Sequence, residues 1–290
     1  MRWKDGQRGG NIEDRRGLRP GAAGGGLGLG AVAVVLIGYF VFGIDPSTMM
    51  GAIEQSGMGG SSANQEAGAQ GSPQDEEGKF VDIILTSTTG VWGGLFEKAG
   101  QKYRQPQPLV LYTQATGTSC GMGQSAMGPF YCPSDERIYI DLDFFNELSA
   151  RFGAPGEFAK AYVIAHEVGH HVQKVLGTAN EVRQAQRSAG SKAEANRYSV
   201  ALELQADCYA GVWAAHAEQA SGGRIVLERG DLEDGLRAAN AIGDDTLQKQ
   251  AQGHVVPDSF THGSSEQRMT WLQKGYDTGD PAACDSFAGL

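Results

Sequence analysis

One short segment constrains this chain more than any other: His166-Glu167-Val168-Gly169-His170, set within an apolar run from Gly156 to Gly177. Phe158, Ala161, Tyr162, Ile164, Ala165 and Val168 lead through it, and Val172, Val175 and Leu176 follow. The spacing predicts a helix, with Gly177 where a C-terminal cap belongs. On a helix, positions four apart share a face, one turn above the other. Two imidazoles can then reach one ion, with Glu167 beside them to take a proton from its water. That is the donor set of a hydrolytic zinc site. The alternative is ordinary polar histidines on a buried helix.

A catalytic zinc keeps three protein ligands, and a second helical segment supplies candidates. In Val200-Ala201-Leu202-Glu203-Leu204-Gln205-Ala206-Asp207, continuing through Tyr209, Val212 and Trp213, Glu203 and Asp207 share a face. One can bind the ion while the other accepts a hydrogen bond from the far nitrogen of a ligand histidine, fixing its tautomer. A solvated acidic face is disfavoured by the apolar neighbours. A buried carboxylate pair without a cation would be costly.

The N-terminus carries a different signal. Residues 1–25 hold six basic and three acidic side chains, while the whole chain has net charge −10, which argues against a nucleic-acid partner. No residue from Gly26 to Ile44 is charged, and these nineteen residues just span a hydrocarbon core of roughly 30 Å. Basic residues precede the run, so the expectation is a single-pass protein: cytoplasmic tail 1–25, transmembrane anchor 26–44, flexible Gly/Ser-rich linker 45–74, and a periplasmic or extracellular domain 75–290. A cleaved signal peptide is the rival, but no small-x-small cleavage site follows. Arg15-Arg16 is weak evidence for twin-arginine export. Disulfides are permitted in an exported domain. Cys120 and Cys132 flank a Gly-rich turn and are expected to pair, leaving Cys208 for Cys284; no CxxC spacing supports a cysteine metal site.

Along the domain, Asp75-Glu76-Glu77 suits a helix start, and Phe80, Ile83, Ile84, Val91, Trp92, Leu95 and Phe96 recur at helical spacing through Tyr103. Pro106 and Pro108 are expected to end that helix, with Gly90, Gly93 and Gly94 weakening it. Residues 109–113 and 137–141 read as strands. Phe144, Phe145 and Leu148 begin a short helix, and residues 223–250 read as one amphipathic packing region. Strands before the metal helix fit a sheet packed on it, whose edge can receive an extended peptide.

Several longer stretches resemble a bacterial family of membrane-anchored neutral zinc metallopeptidases, and HExxH followed by ExxxD resembles the gluzincin arrangement. The resemblance rests on residues 128–133 (GPFYCP), 161–173 (AYVIAHEVGHHVQ), 202–213 (LELQADCYAGVW), 242–245 (IGDD) and 261–268 (THGSSEQR). It covers roughly 75–288. It implies an α+β, zincin-like metalloprotease domain: a small sheet on an active-site helix and a mostly helical C-terminal half, behind one transmembrane helix. It also implies one Zn2+ per chain held by His166, His170 and Glu203, with Glu167 as catalytic base.

The expected chemistry is peptide hydrolysis, with Glu167 taking the proton of a zinc-activated water and passing it to the leaving amine. The oxyanion needs a further donor. His262 is the candidate, with Tyr198 and Tyr162 behind it. His171 is rotated about 100° from its neighbour and should face away; His216 and His254 lack ligand spacing. Two other readings are a catalytically silent zinc-stabilised scaffold and an amidase acting on cell-wall peptides. The partners expected are a peptide or protein substrate and the membrane. Nothing in the chain sets the oligomeric state.

Overall fold

The computed structural model describes residues 1–17 and 68–290. The anchor expected at 26–44 and residues 45–67 of the linker lie outside the described residues. Among the described residues no helix is long and apolar enough to cross a membrane.

A five-stranded sheet forms one layer, in the order β2-β1-β3-β7-β6. β1 is Ile12–Asp14, β2 Ala69–Gln70, β3 Leu109–Tyr112, β6 Phe130–Cys132 and β7 Arg137–Asp141. β1, β3 and β7 run parallel, with Ile12 opposite Leu109 and Val110 opposite Tyr139. The edge strands β2 and β6 are antiparallel to their neighbours. Alternation along the strands divides the core. Leu109, Leu111, Ile138 and Ile140 join the main core with the helices, whereas Val110, Tyr112, Tyr139 and Cys132 cluster on the other face. A hairpin, β4 Ala115–Thr118 with β5 Gly121–Gln124, stands beside that second face. A Cβ on Gly123 would come within 2.6 Å of the Phe130 ring, which shows how closely the hairpin approaches β6.

Two expectations about the N-terminal part need correction. Residues 1–17, expected as a tail apart from the domain, are built into it, because β1 lies between β2 and β3 in the sheet. Trp3 is buried and packs edge-to-face on Phe80 with ring centroids 5.0 Å apart. The end of the expected linker is likewise a strand, β2, and Gly68 donates to the buried Glu13 at 3.1 Å. Arg15 and Arg16 have structural partners here, Glu13 at 2.6 Å and Asp75 at 2.6 Å.

The helices follow. α1 is Glu76–Lys98, capped by Asp75, which accepts from Gly78 N at 2.9 Å. It ends at Lys98 rather than near the prolines, because Gly100 takes a left-handed φ of 70°. Gly90, Gly93 and Gly94 lie on its outer side and leave it unbroken. α2 is Asp143–Ala150, α3 Glu157–Leu176, α4 Thr178–Ser188, α5 Lys192–Ala220, α6 Asp231–Ala241, α7 Asp244–Gln252 and α8 Ser265–Thr278. The expected single packing region 223–250 is therefore two helices. They break at Gly243, where a Cβ would sit 2.4 Å from Ser265 N. α3 matches the expectation, with Gly177 at φ 93° ending it. The two disulfides pair as expected, Cys120–Cys132 and Cys208–Cys284, with Cα separations of 5.8 and 5.6 Å.

Candidate metal centre

α3 and α5 cross where side chains are smallest. A Cβ on Gly169 would be 3.1 Å from both Cα and O of Ala206, so the glycine between the two histidines lets α5 approach closely. The crossing brings together one ligand atom each from His166, His170 and Glu203, all within 4.8 Å of one another. His166 Nε2 is 3.2 Å and His170 Nε2 3.4 Å from the Glu203 carboxylate.

The outward nitrogens are engaged elsewhere. His166 Nδ1 lies 2.7 Å from Asp207 Oδ1, and His170 Nδ1 lies 2.9 Å from Gln173 Oε1. With Nδ1 donating, each imidazole would keep its Nε2 lone pair for an ion placed between the rings and Glu203. Asp207 is fully buried; it also accepts from Tyr162 at 2.6 Å and from Arg268 through Nε at 2.9 Å and Nη2 at 3.0 Å. Burial alone would raise the Asp207 carboxyl, but Arg268 and then His166 hold it down at about 2. Tyr162 is committed to this network, bonded to both Asp207 and Arg268, and is therefore not free to serve an oxyanion.

The donor set fits zinc: two nitrogens and a carboxylate oxygen converging, with both second nitrogens supported. The local field fits a cation as well. Burial disfavours a charged His170, yet Glu203 outweighs it and pushes that imidazole up to about 9. Glu203 is held well below its ordinary value against its own burial, first by His170. The pocket draws positive charge, and a divalent ion would supply it while leaving both rings neutral.

Glu167 is buried beside the cluster. Burial pushes its carboxyl up, and His170 and His166 pull against that rise. His262, with a side chain 34% exposed, stands on the loop before α8 with Nδ1 3.1 Å from Asp244 Oδ1. Asp244 grips this loop by accepting backbone N–H groups of Thr261 at 2.7 Å, His262 at 2.7 Å and Gly263 at 3.0 Å. Burial lowers the His262 pKa, but Asp244 and then Glu203 raise it overall, so the ring lies within the electrostatic reach of the cluster.

His171 faces away, bonded to Tyr131 Oη at 3.0 Å and to the Arg104 carbonyl at 2.7 Å. His216 binds the Gly279 carbonyl at 2.8 Å, and His254 is exposed. Arg268 and Gln173 were not singled out from the sequence. Gln173 is three residues past His170 and so on its face, a signal that was there to read. Arg268 is 61 residues from Asp207 and carries no local signal.

Fold and site together define an α+β protein in which His166, His170 and Glu203 could hold a metal ion where two helices cross. The chain belongs to the family described as "Putative neutral zinc metallopeptidase", whose sequence model matches residues 1–287. It is 49% identical over 298 residues to "Uncharacterized protein YpfJ" of Escherichia coli strain K12, covering 99% of each. It is 44% identical over 218 residues to "Uncharacterized protein Rv2575" of Mycobacterium tuberculosis strain H37Rv, covering 72% of each. No solved structure matches it.

Proposed function

We propose that the protein is a zinc-dependent peptidase, with one Zn2+ per chain held by His166, His170 and Glu203. The observation that carries this reading is the leftover carboxylate. Three donors converge, and Glu167, on the same helix and next to a ligand, is not needed as a fourth. A structural site uses four protein ligands and no base. Zinc, when bound, supplies Lewis acidity that makes water a nucleophile near neutral pH and polarises the scissile carbonyl.

The chain's own residues do the rest. Glu167, with its affinity for a proton raised by burial, takes the proton from the attacking water and delivers it to the leaving amine. His262, held by Asp244, donates to the developing oxyanion from its other nitrogen. Asp207 and Gln173 hold the two ligand rings in place.

The test is zinc content and casein cleavage on the full chain, because residues 1–17 belong to the sheet, for wild type and Glu167→Gln. One zinc in each, with cleavage lost only in the variant, is the expected result. Zinc in both and no cleavage in either favours the scaffold or a cell-wall peptide substrate. No zinc in the wild type defeats the proposal.

A further inference from the structure

The described residues on either side of 18–67 meet at one point, where β1 pairs with β2. Asp14 and Ala69 are paired residues in neighbouring antiparallel strands, as are Glu13 and Gln70. Two buried carboxylates hold both ends at once. Asp82, fully buried on α1, accepts from Gly9 N at 3.2 Å and Gly10 N at 2.9 Å before the 18–67 stretch, and from Ser72 Oγ at 2.7 Å after it. Glu13, 3% exposed, accepts from Arg15 at 2.6 Å before it and from Gly68 N at 3.1 Å after it, and also pairs with Arg137. Arg16 then reaches across to Asp75 with two bonds, at 3.0 and 2.6 Å.

Removing residues 1–17 would strip Asp82 of its donors Gly9 and Gly10, expose the Ile12 side of β3, and leave Arg137 without Glu13. Asp82 would keep Ser72 as its donor, and a buried carboxylate so thinly partnered costs several kcal/mol. The arm is therefore part of the same folded unit as the metal cluster.

The uncharged run 26–44 lies in sequence between these two ends. As a helix its nineteen residues would reach about 28 Å, one crossing. A single crossing would put residues 1–17 and 68–290 on opposite sides, where β1 cannot pair with β3. Exchange of β1 between copies does not rescue it, since every copy would have its arm on the far side. A second crossing lacks a segment: residues 45–67 are rich in Gly and Ser and contain Asp45, Glu54 and Glu66.

We propose that residues 1–17 share one compartment with the metal-site domain, on the same side of any membrane the protein meets. The expected single-pass topology would instead put the two on opposite sides. The proposal stands whether or not the site cuts peptides.

The experiment is labelling of the full chain in spheroplasts by a membrane-impermeant maleimide. One cysteine is placed in the arm, Gln7→Cys, and one in the domain, Gln101→Cys; both positions are exposed, and the native cysteines are all in disulfides. The expected result is concordance: both react in intact spheroplasts, or both only after detergent. Discordance overturns the proposal. An independent variant carries Asp14→Cys with Ala69→Cys and a protease site after Gly59. Once cut, the arm should stay on the domain in non-reducing SDS and leave on reduction. An arm released without reduction, from protein in the membrane fraction, also overturns it.

Discussion

Replacing Arg268 with methionine tests whether the ligand helix is held by a buried charge pair. Arg268 is 4% exposed and Asp207 fully buried, and the guanidinium covers both carboxylate oxygens. Arg268→Met keeps the volume and leaves Asp207 charged, with only His166 and Tyr162 as partners. Breaking a buried pair from one side costs about 3–5 kcal/mol, or roughly 10 °C in Tm for a domain of this size. Asp207→Asn alone strands the arginine instead and should cost a similar amount. The double variant removes both charges and should be less unstable than the sum of the two by about 2–3 kcal/mol. Urea unfolding of the full chain in EDTA measures all four corners. Zinc affinity, measured separately, should fall about 10- to 100-fold in Asp207→Asn, because His166 loses the carboxylate that fixes its Nδ1. A loss below about 1 kcal/mol for Arg268→Met, or strict additivity, would refute the argument.

Three further outcomes follow from packing, charge and cross-linking. Gly275→Ala should cost about 3 kcal/mol or more by thermal melting, because its Cβ would lie 1.9 Å from the Cys208 carbonyl oxygen. The same change at Gly93, where nothing lies within 4 Å, should stabilise by about 0.5–1 kcal/mol. Burial raises Glu13, but Arg15 and Arg137 overcome it and hold its pKa at about 2. The unfolded chain therefore binds more protons between about pH 4.5 and 2, and stability is lost as pH falls through that window. The full shift corresponds to about 3 kcal/mol, and screening reduces this to about 2; urea titrations should show the gap between wild type and Glu13→Gln closing by that amount towards pH 2. Cys208→Ser/Cys284→Ser opens a bridge with a sequence separation of 76 residues and should lower unfolding free energy by about 4 kcal/mol.

What could be read from the sequence was what repeats locally. α3 announced itself by apolar spacing and a closing glycine, β3 and β7 by short β-branched runs, and Glu203 with Asp207 by their shared face. β1 could not be read so. Its apolar content is Ile12 alone, and Glu13 and Asp14 look like surface charges. Glu13 is buried because Arg137 meets it from 124 residues away, a pairing no local pattern encodes. β2 is only two residues, Ala-Gln. A basic tail followed by an uncharged run therefore reads as tail and anchor, although the tail is a strand. The region 223–250 failed for a similar reason. Its amphipathic period continues through Ile242, and only the contact of Gly243 with Ser265 shows why the helix must stop.

That stop joins the two halves of the site. Ser265 at the start of α8 bonds the Asn240 carbonyl and Asp245, both at 2.7 Å. Arg268, one turn on, reaches the Ile242 carbonyl at 3.3 Å as well as Asp207. Asp244, the first residue after the break, holds the loop that carries His262. The junction 240–245 thus sets the arginine that orients His166 through Asp207, and the carboxylate that orients His262. The His166–His170–Glu203 cluster and the His262 loop are linked through one short contact. A side chain at Gly243, which would press 2.4 Å from Ser265 N, should therefore disturb both together. Substitution at Gln173, which bonds His170, should disturb that ring and leave His262 in place.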